Sequence, residues 1–433
     1  MNMERKKNVK IVVLGDIGHS PRMANHAISL AKCGHTVDII GYGESDLPHQ
    51  FKLSPNIYHH FLVSCPRINW KLLNYIWKTI WTSINLFFLL AITRRADALL
   101  VQNPPAIPSL IVSWVYCKLI GAKLIIDWHN YANTIMALSV GRRSRLVALT
   151  KLIEKTLGRR ADYNFCVSKA IKNDLYDKWG IKSQVVYDRP GSHFGSVSLS
   201  EMHDFLKVLG EKKGFQIFMD KNDQNSTLLT ALHPNSSPYL KEDRPAFIVS
   251  STSWTEDEDF SILLNALQDY ENHWRGGNQK KLPKMLVAIT GKGPLKEYYL
   301  KDIECRKWEH ITVITPWLED EEYPLFIGCA NIGISLHTSS SGLDLPMKIV
   351  DLFGVRVPVL AYNFEALKEL VIDGNNGYIF SNQEELSKLL QDLFEGFPLN
   401  ESVIKNLNKM KKELESFGNW DKIWNSTCKP IFD

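Results

Sequence analysis

Residues 9–22 read VKIVVLGDIGHSPR, and this stretch decides the fold class. The run 9–14 is short, apolar and rich in β-branched residues, the pattern of a buried parallel strand. Two glycines, an acid, a histidine and an arginine follow at once. Residues 23–32 then take helical spacing and stop at Cys33-Gly34. The polar motif therefore sits in a βα turn at the carboxyl edge of a sheet, where open α/β folds bind their ligands.

Outward from this turn, strand and helix alternate. Strands are expected within 37–43, 96–108, 122–131 and 163–169, and again within 246–251, 285–294, 310–315, 331–337 and 357–363. A length of 433 residues favours two domains. The reading is α/β: two Rossmann-like, doubly wound domains facing a central cleft, the GT-B architecture of many sugar transferases. Residues 1–191 form the first, acceptor- and membrane-facing domain. Residues 192–243, polar and poorly periodic, read as an interdomain connection with an inserted loop. Residues 244–415 form the second, nucleotide-sugar-binding domain.

The net charge is +4, which gives no nucleic-acid signal. Seven cysteines without close pairs point to reduced thiols, with neither a disulfide framework nor a zinc site. The sequons at Asn225, Asn235 and Asn425 are then expected to be unused. Residues 1–10 lack an apolar h-region, so neither a signal peptide nor an N-terminal span is expected.

Two segments bear on membranes. Residues 70–95, WKLLNYIWKTIWTSINLFFLLAITRR, have a longest charge-free run of 15 residues, short of the ~20 a span needs. Trp70, Trp77 and Trp81 with Arg94-Arg95 suit either a buried helix or one lying in the headgroup layer. Residues 107–120, with Trp114, make a second apolar helix beside it. Residues 141–160 carry seven Lys/Arg and one Glu. Arg142 and Arg145 there belong either to a solvated helix face or to a surface for anionic lipid or pyrophosphate.

The clearest chemistry lies in 337–359. A strand ends in a Ser/Gly loop, with Ser341, Gly342 and Leu343, that opens a helix near Pro346. Free N–H groups and the dipole there favour a diphosphate. Lys348 in the first turn asks for an anion, and Asp351 shares its face. Lysine for phosphate and carboxylate for ribose hydroxyls make a nucleotide-sugar site; the plain alternative is a helix start with a surface ion pair. The turn GKGP brings Gly291 and Gly293 close to a ligand, and Trp317 sits beside the base or in the core. In SSTSWTEDEDF, 250–260, Thr255 and Glu258 read as a capping box rather than a metal site, while Ser251 and Thr252 line the phosphate pocket. Inverting sugar transfer needs a base for the acceptor hydroxyl. His19, Asp16, His129 and Asp127 are the candidates, with His19 first. Gly18 leaves room for a bulky acceptor near the backbone.

With these residues assembled, the chain resembles the chitobiosyldiphosphodolichol β-mannosyltransferase family. The resemblance rests on GDIGHSPRMANHA (15–27), VQNPPAIP (101–108), LIIDWHNY (124–131), SSTSWTEDEDF (250–260), ITGKGP (289–294) and SSGLDLPMKIVDLFG (340–354), in family order. NWDKIW (419–424) looks like the family's last helix, so 416–433 are expected to cross back to the first domain. The resemblance implies transfer of mannose from GDP-mannose to dolichyl-diphosphate chitobiose in N-glycan precursor assembly, with Arg22 expected to meet the acceptor's pyrophosphate. It also implies inversion, no metal or other cofactor, and a place on the cytosolic face of the endoplasmic reticulum membrane, beside other mannosyltransferases of that pathway. Lys348 and Asp351 match the donor motif, although many GT-B relatives have glutamate at the place of Asp351, and SSTSW lacks their basic residue. Family members commonly begin with a membrane anchor; here attachment is expected to fall to 70–95 and 142–160. The alternatives are another lipid-linked sugar transferase of this fold and an inactive paralogue that binds nucleotide-sugar. GDIGHS lacks the G-x-G-x-x-G spacing of a nicotinamide dehydrogenase.

Overall fold

The computed structural model describes residues 6–47, 49–66, 68, 69, 71–191, 193–256, 258–276 and 281–433. Trp70 and Asp257, which fall within motifs read above, lie outside the described residues. The chain divides into two compact units. The first holds the chain up to Asp188, together with Ser340–Leu345 and Asn419–Asp433.

This first unit is built on a parallel sheet of β1 (Asn8–Asp16), β2 (Thr36–Tyr42), β3 (Ile57–Phe61), β4 (Ala98–Asn103), β5 (Lys123–Trp128), β6 (Tyr163–Cys166) and β7 (Gln184–Val185), in the order β3-β2-β1-β4-β5-β6-β7. The order reverses between β1 and β4, the switch point of a doubly wound sheet. Its helices are α1 (Pro21–Lys32), α2 (His49–Lys52), α3 (Lys71–Ile92), α4 (Ser109–Ile120), α5 (Ala132–Val140), α6 (Arg145–Arg160) and α7 (Lys169–Trp179), closed by α15 (Trp420–Thr427) and α16 (Lys429–Phe432). Because strand side chains alternate, Val12, Val101 and Ile126 enter one core with Leu86, Leu90, Leu110, Leu157 and Ile171. Ile11, Val13, Leu100 and Ile125 enter the other with Met23, Leu30, Trp420, Trp424 and Phe432.

The second unit holds α8 (Leu199–Gly210), the hairpin β8 (Thr230–Leu232) and β9 (Pro238–Leu240), and a parallel sheet. Its strands are β10 (Ala246–Ser251), β11 (Met285–Thr290), β12 (Ile311–Ile314), β13 (Ile332–Ser335), β14 (Val359–Tyr362) and β15 (Gly377–Phe380). Their order is β12-β11-β10-β13-β14-β15, with the reversal between β10 and β13. The flanking helices are α9 (Phe260–Arg275), α10 (Lys296–Arg306), α11 (Glu322–Gly328), α12 (Met347–Gly354), α13 (Gln383–Phe394) and α14 (Glu401–Glu413).

Three expectations about organisation change. The stretch 192–243 is not a connection but a folded part of the second unit. Ser198 and Glu201 form a capping box that starts α8, and Phe218 is fully buried, edge-on to Phe247 and Phe326 at 5.7 Å each. The boundary falls after Asp188 rather than 191: Asp188 accepts from Arg22 at 2.8 Å in the first unit, whereas Arg189 donates to the Phe417 carbonyl at 2.8 Å in the second. Ser341, Gly342 and Leu343, read as part of the second domain, belong to the first unit. Leu343 belongs to the same core cluster as Trp128 and Tyr131, and its carbonyl accepts from the Ser168 hydroxyl at 2.5 Å.

Helix α3 is held at its end by a buried lysine. Lys10 Nζ donates to the Leu90 carbonyl at 2.5 Å and to Thr93 Oγ1 at 2.6 Å. A cation on the last carbonyls of a helix satisfies groups that the helix leaves open. Burial lowers the Lys10 pKa to about 8, against the pull of Asp38.

Candidate active site

Two histidine–carboxylate pairs stand at carboxyl ends of strands in the first unit. At the end of β1, His19 Nδ1 lies 2.5 Å from Asp16 Oδ2. The same carboxylate accepts from the Ser45 hydroxyl and from the N–H groups of Glu44 and Ser45 at 3.1 and 3.3 Å. Burial pushes the Asp16 carboxyl up, but Ser45, His19 and the two N–H groups outweigh it and hold it at about 2. His19 itself is 77% exposed. Gly18 leaves no room for an acceptor: a Cβ there would strike Ser45 Oγ and the Asp46 carbonyl, so the loop after β2 fills that space.

At the end of β5, Asp127 is fully buried and His129 is 22% exposed. His129 Nε2 lies 3.0 Å from Asp127 Oδ2. Arg22 closes the other side as a fork, Nε to Oδ2 at 2.8 Å and Nη2 to Oδ1 at 2.9 Å. Its Nη1 donates to Asp188 at 2.8 Å and to the Val186 carbonyl at 2.7 Å. Arg22 is therefore not an acceptor-pyrophosphate contact; its side chain is buried and all three of its nitrogens donate within the fold. Asp127 is likewise no base. Burial opposes its charge, yet Arg22 and His129 hold its carboxyl well below the usual range. An ionised Asp127 accepts a hydrogen bond from the Nε2–H of His129, which leaves the lone pair on Nδ1. A histidine oriented by a third group in this way is the arrangement that a general base uses.

The loop after His129 is shaped from below. Glu154, the one acid of the basic helix α6, is fully buried. It accepts from the N–H groups of Ala132 and Asn133 at 2.7 and 3.1 Å and from Asn103 Nδ2 at 2.9 Å. It thus caps α5, whose first-turn N–H groups lack a partner of their own. Asn130 and Thr134 each reach Ser340 Oγ at 3.2 Å. Ser341 Oγ accepts from the Leu343 N–H at 3.2 Å.

In the second unit the carboxyl edge carries a different set. Lys348, in the first turn of α12, donates to Glu258 Oε1 at 2.6 Å. Glu258 is almost fully buried. Its Oε2 accepts from Thr252 Oγ1 at 2.5 Å and the Ser253 N–H at 3.2 Å, and its backbone bridges to His337. The anion that Lys348 asks for is thus a residue of the chain. The capping box expected from Thr255 and Glu258 is absent; Asp259 caps α9 by accepting from the Ser261 N–H at 2.9 Å. Spacing alone points Glu258 at a helix cap, so sequence reading missed its tertiary role.

Ser251 Oγ lies 2.8 Å from Tyr323 Oη. Burial first, and then the negative Asp351, push the Tyr323 hydroxyl up. Gly291 and Gly293 are required by the chain itself. A Cβ on either would overlap the carbonyl oxygen of Thr252 or Ser253, and Gly291 has φ +127°. The close approach expected toward a ligand is made to the loop after β10. Trp317 is half exposed, with Lys292 Nζ 3.6 Å from its ring centre. Among the described residues no group of three or more His, Cys, Asp or Glu side chains is placed to hold a metal.

Trp77 and Trp81 lie on α3 with ring centres 5.6 Å apart, and Trp81 donates to the Val63 carbonyl at 3.1 Å. Arg142 and Arg145 are exposed at the start of α6. Leu73–Ile92 has mean hydropathy 1.3 and is long and apolar enough to cross a membrane. Its Leu86 and Leu90, however, are fully buried in the first unit's core.

Residues 18–187 match Glycosyltransferase Family 4 and residues 235–410 match Glycosyl transferases group 1. The chitobiosyldiphosphodolichol beta-mannosyltransferase of Homo sapiens is 41% identical over 445 residues, 98% of this chain and 92% of that one. The protein of that name from Pongo abelii is 41% identical over 441 residues, with the same coverage. An Arabidopsis thaliana protein named UDP-glycosyltransferase TURAN is 39% identical over 457 residues, 99% of this chain and 98% of that one. Among solved structures, sucrose-phosphate synthase from Thermosynechococcus elongatus superposes with a TM-score of 0.66 at 12% identity, over 99% of this chain and 98% of that one. Anabaena HepE in complex with UDP-glucose gives 0.64 at 12%, over 98% and 99%. These structures fix the fold as GT-B. With relatives 41% identical along almost their whole length, the chain belongs to the chitobiosyldiphosphodolichol β-mannosyltransferase family.

Proposed function

We propose that this protein is an inverting hexosyltransferase that moves mannose from GDP-mannose to dolichyl-diphosphate chitobiose, forming a β-1,4 bond on the cytosolic face of the endoplasmic reticulum membrane. The near full-length match to relatives of that name carries the reading. The following roles are consistent with the geometry. His129 Nδ1 takes the proton of the acceptor hydroxyl while that oxygen bonds to C1 of mannose. The C1–oxygen bond to the diphosphate breaks, and GDP leaves with the electron pair. His129 is preferred to His19 because its carboxylate partner is buried and fixed, whereas His19 is exposed. Lys348, partly exposed and with N–H donors beyond the one given to Glu258, and the uncapped first turn of α12 meet the leaving charge, as electrostatic catalysis requires. Asp351 takes ribose hydroxyls, and Ser251, Thr252 and Trp317 border the nucleotide. No metal is called for when fixed positive groups do this work.

Membrane attachment falls to α3. Ile76, Ile80, Ile84, Phe88 and Ile92 recur every fourth residue and are all exposed, from 47 to 62%. Such a row forms one apolar stripe on a helix, and Arg142 and Arg145 add attraction to anionic headgroups.

The test gives the detergent-solubilised protein GDP-mannose and chitobiosyl-pyrophosphoryl lipid and reads the product by mass spectrometry. One added hexose, removed by β-mannosidase, is expected, and chelation leaves the rate unchanged. A second reading, a uridine-linked donor, is favoured by the name of the Arabidopsis relative. Transfer from UDP-glucose but not from GDP-mannose would replace the first reading with the second.

A further inference from the structure

The chain's last helices reach the candidate base through one buried histidine. His26 on α1 is fully buried, stacked on Phe165 with ring centres 5.9 Å apart and edge-on to Trp420 at 5.0 Å. Trp424 Nε1 donates to His26 Nδ1 at 3.0 Å. Indole nitrogen only donates, so His26 Nδ1 must carry a lone pair. The other nitrogen, Nε2, lies 3.4 Å from Asp127 Oδ2 without completing a hydrogen bond. Three groups therefore crowd that one oxygen: Arg22 Nε at 2.8 Å, His129 Nε2 at 3.0 Å and His26 Nε2 at 3.4 Å.

We propose that Trp424 and His26 are positioning residues for the transfer reaction: the indole holds His26 neutral with its proton on Nε2, which reserves the Asp127 carboxylate for orienting His129. This rests on His129 being the base. An imidazolium at His26 would form a full ion pair with Oδ2 and compete with His129 for it. The indole forbids that state, since a protonated Nδ1 would meet the indole N–H head-on. Burial also disfavours a charge at His26, and Arg22 adds to this, against the pull of Asp127. The other groups facing the site do not replace this control. Arg22 is locked between Asp127 and Asp188. Burial pushes the Cys166 thiol up to about 11 and the Cys428 thiol higher still, so both stay neutral.

The test is histidine-labelled nitrogen NMR on the full chain in detergent, with His26→Gln to assign the signal. His26 is expected as the neutral, Nε2-protonated tautomer between about pH 6 and 8, the range in which a free imidazole titrates. In Trp424→Phe, which keeps an aromatic ring and deletes the donor, His26 gains a proton on Nδ1. The rate readout is a roughly tenfold loss in kcat at unchanged KM, with the acid limb of the profile moved down by about half a pH unit, as a new nearby charge produces. An Nδ1-protonated or charged His26 in the unsubstituted protein would overturn the proposal without any variant. So would a Trp424→Phe protein that melts earlier but keeps its pH profile. Failure of the base reading is separate: it appears as near-normal turnover in His129→Ala, while the His26 tautomer is read independently.

Discussion

His19 and His129 are alike in type and differ in what holds them. His129 leans on a carboxylate locked by a guanidinium fork; His19 leans on one shared with a loop serine. General-base contributions run to about 10²–10⁴-fold. Steady-state kinetics should accordingly show His129→Ala losing roughly two to four orders of magnitude in kcat, and His19→Ala staying within a few-fold. Asp16 gives a stability test with a defined sign. Its folded-state pKa, about 2, lies below the ordinary aspartate value of 3.8. Its contribution is therefore fully present above the unfolded value and is lost as pH falls through the folded one. Melting curves of the native protein and Asp16→Asn should converge between these two values, with the native protein the more stable above them.

At the scale of elements, α3 does two jobs on two faces. Leu86 and Leu90 belong to the core of the first unit, and Lys10 ties down the helix end. The stripe from Ile76 to Ile92 stays exposed. Replacing Ile80, Ile84 and Phe88 by serine should abolish flotation with anionic liposomes, while turnover of a short-chain, water-soluble acceptor analogue persists. Equal loss of both would mean that the stripe supports the fold instead. Leu86→Ala, on the other face, should cost about 2–5 kcal/mol of stability, as core truncations do. The start of α12 shows the same division between local and tertiary causes. Its proline and missing side-chain cap are local, but the partner of Lys348 comes from ninety residues earlier.

For the whole molecule, the return of the chain to the first unit after Gly418 is decisive. Trp420, Trp424 and Phe432 complete the core under α1, and Trp420 donates to Ser29 Oγ at 2.9 Å. Deleting Asn419–Asp433 opens that core and exposes His26. The truncated protein should melt earlier than the full chain in differential scanning fluorimetry, and its loss should exceed that of any single substitution in α15.

Sequence alone determined the class of fold, because hydrophobic period is local. Short β-branched runs such as 9–14 and 285–290, alternating with stretches of helical spacing, have the pattern of parallel strands buried between helices, and both sheets follow from that alternation. The glycine-marked turns, the histidines at strand ends and the family resemblance were legible for the same reason: each is a contiguous word. Only the tertiary structure decided which of those residues have spare chemistry. Arg22 and Asp127, readable as functional groups in GDIGHSPR and DWHNY, consume each other at 2.8 and 2.9 Å. Gly18, Gly291 and Gly293 make room for other loops of the chain. Glu258 and His26 carry no local signal, since their partners lie 90 and 398 residues away. Spacing along a chain records which face a side chain occupies; what meets that face is set by how distant segments pack, and there charge is neutralised or left free to act.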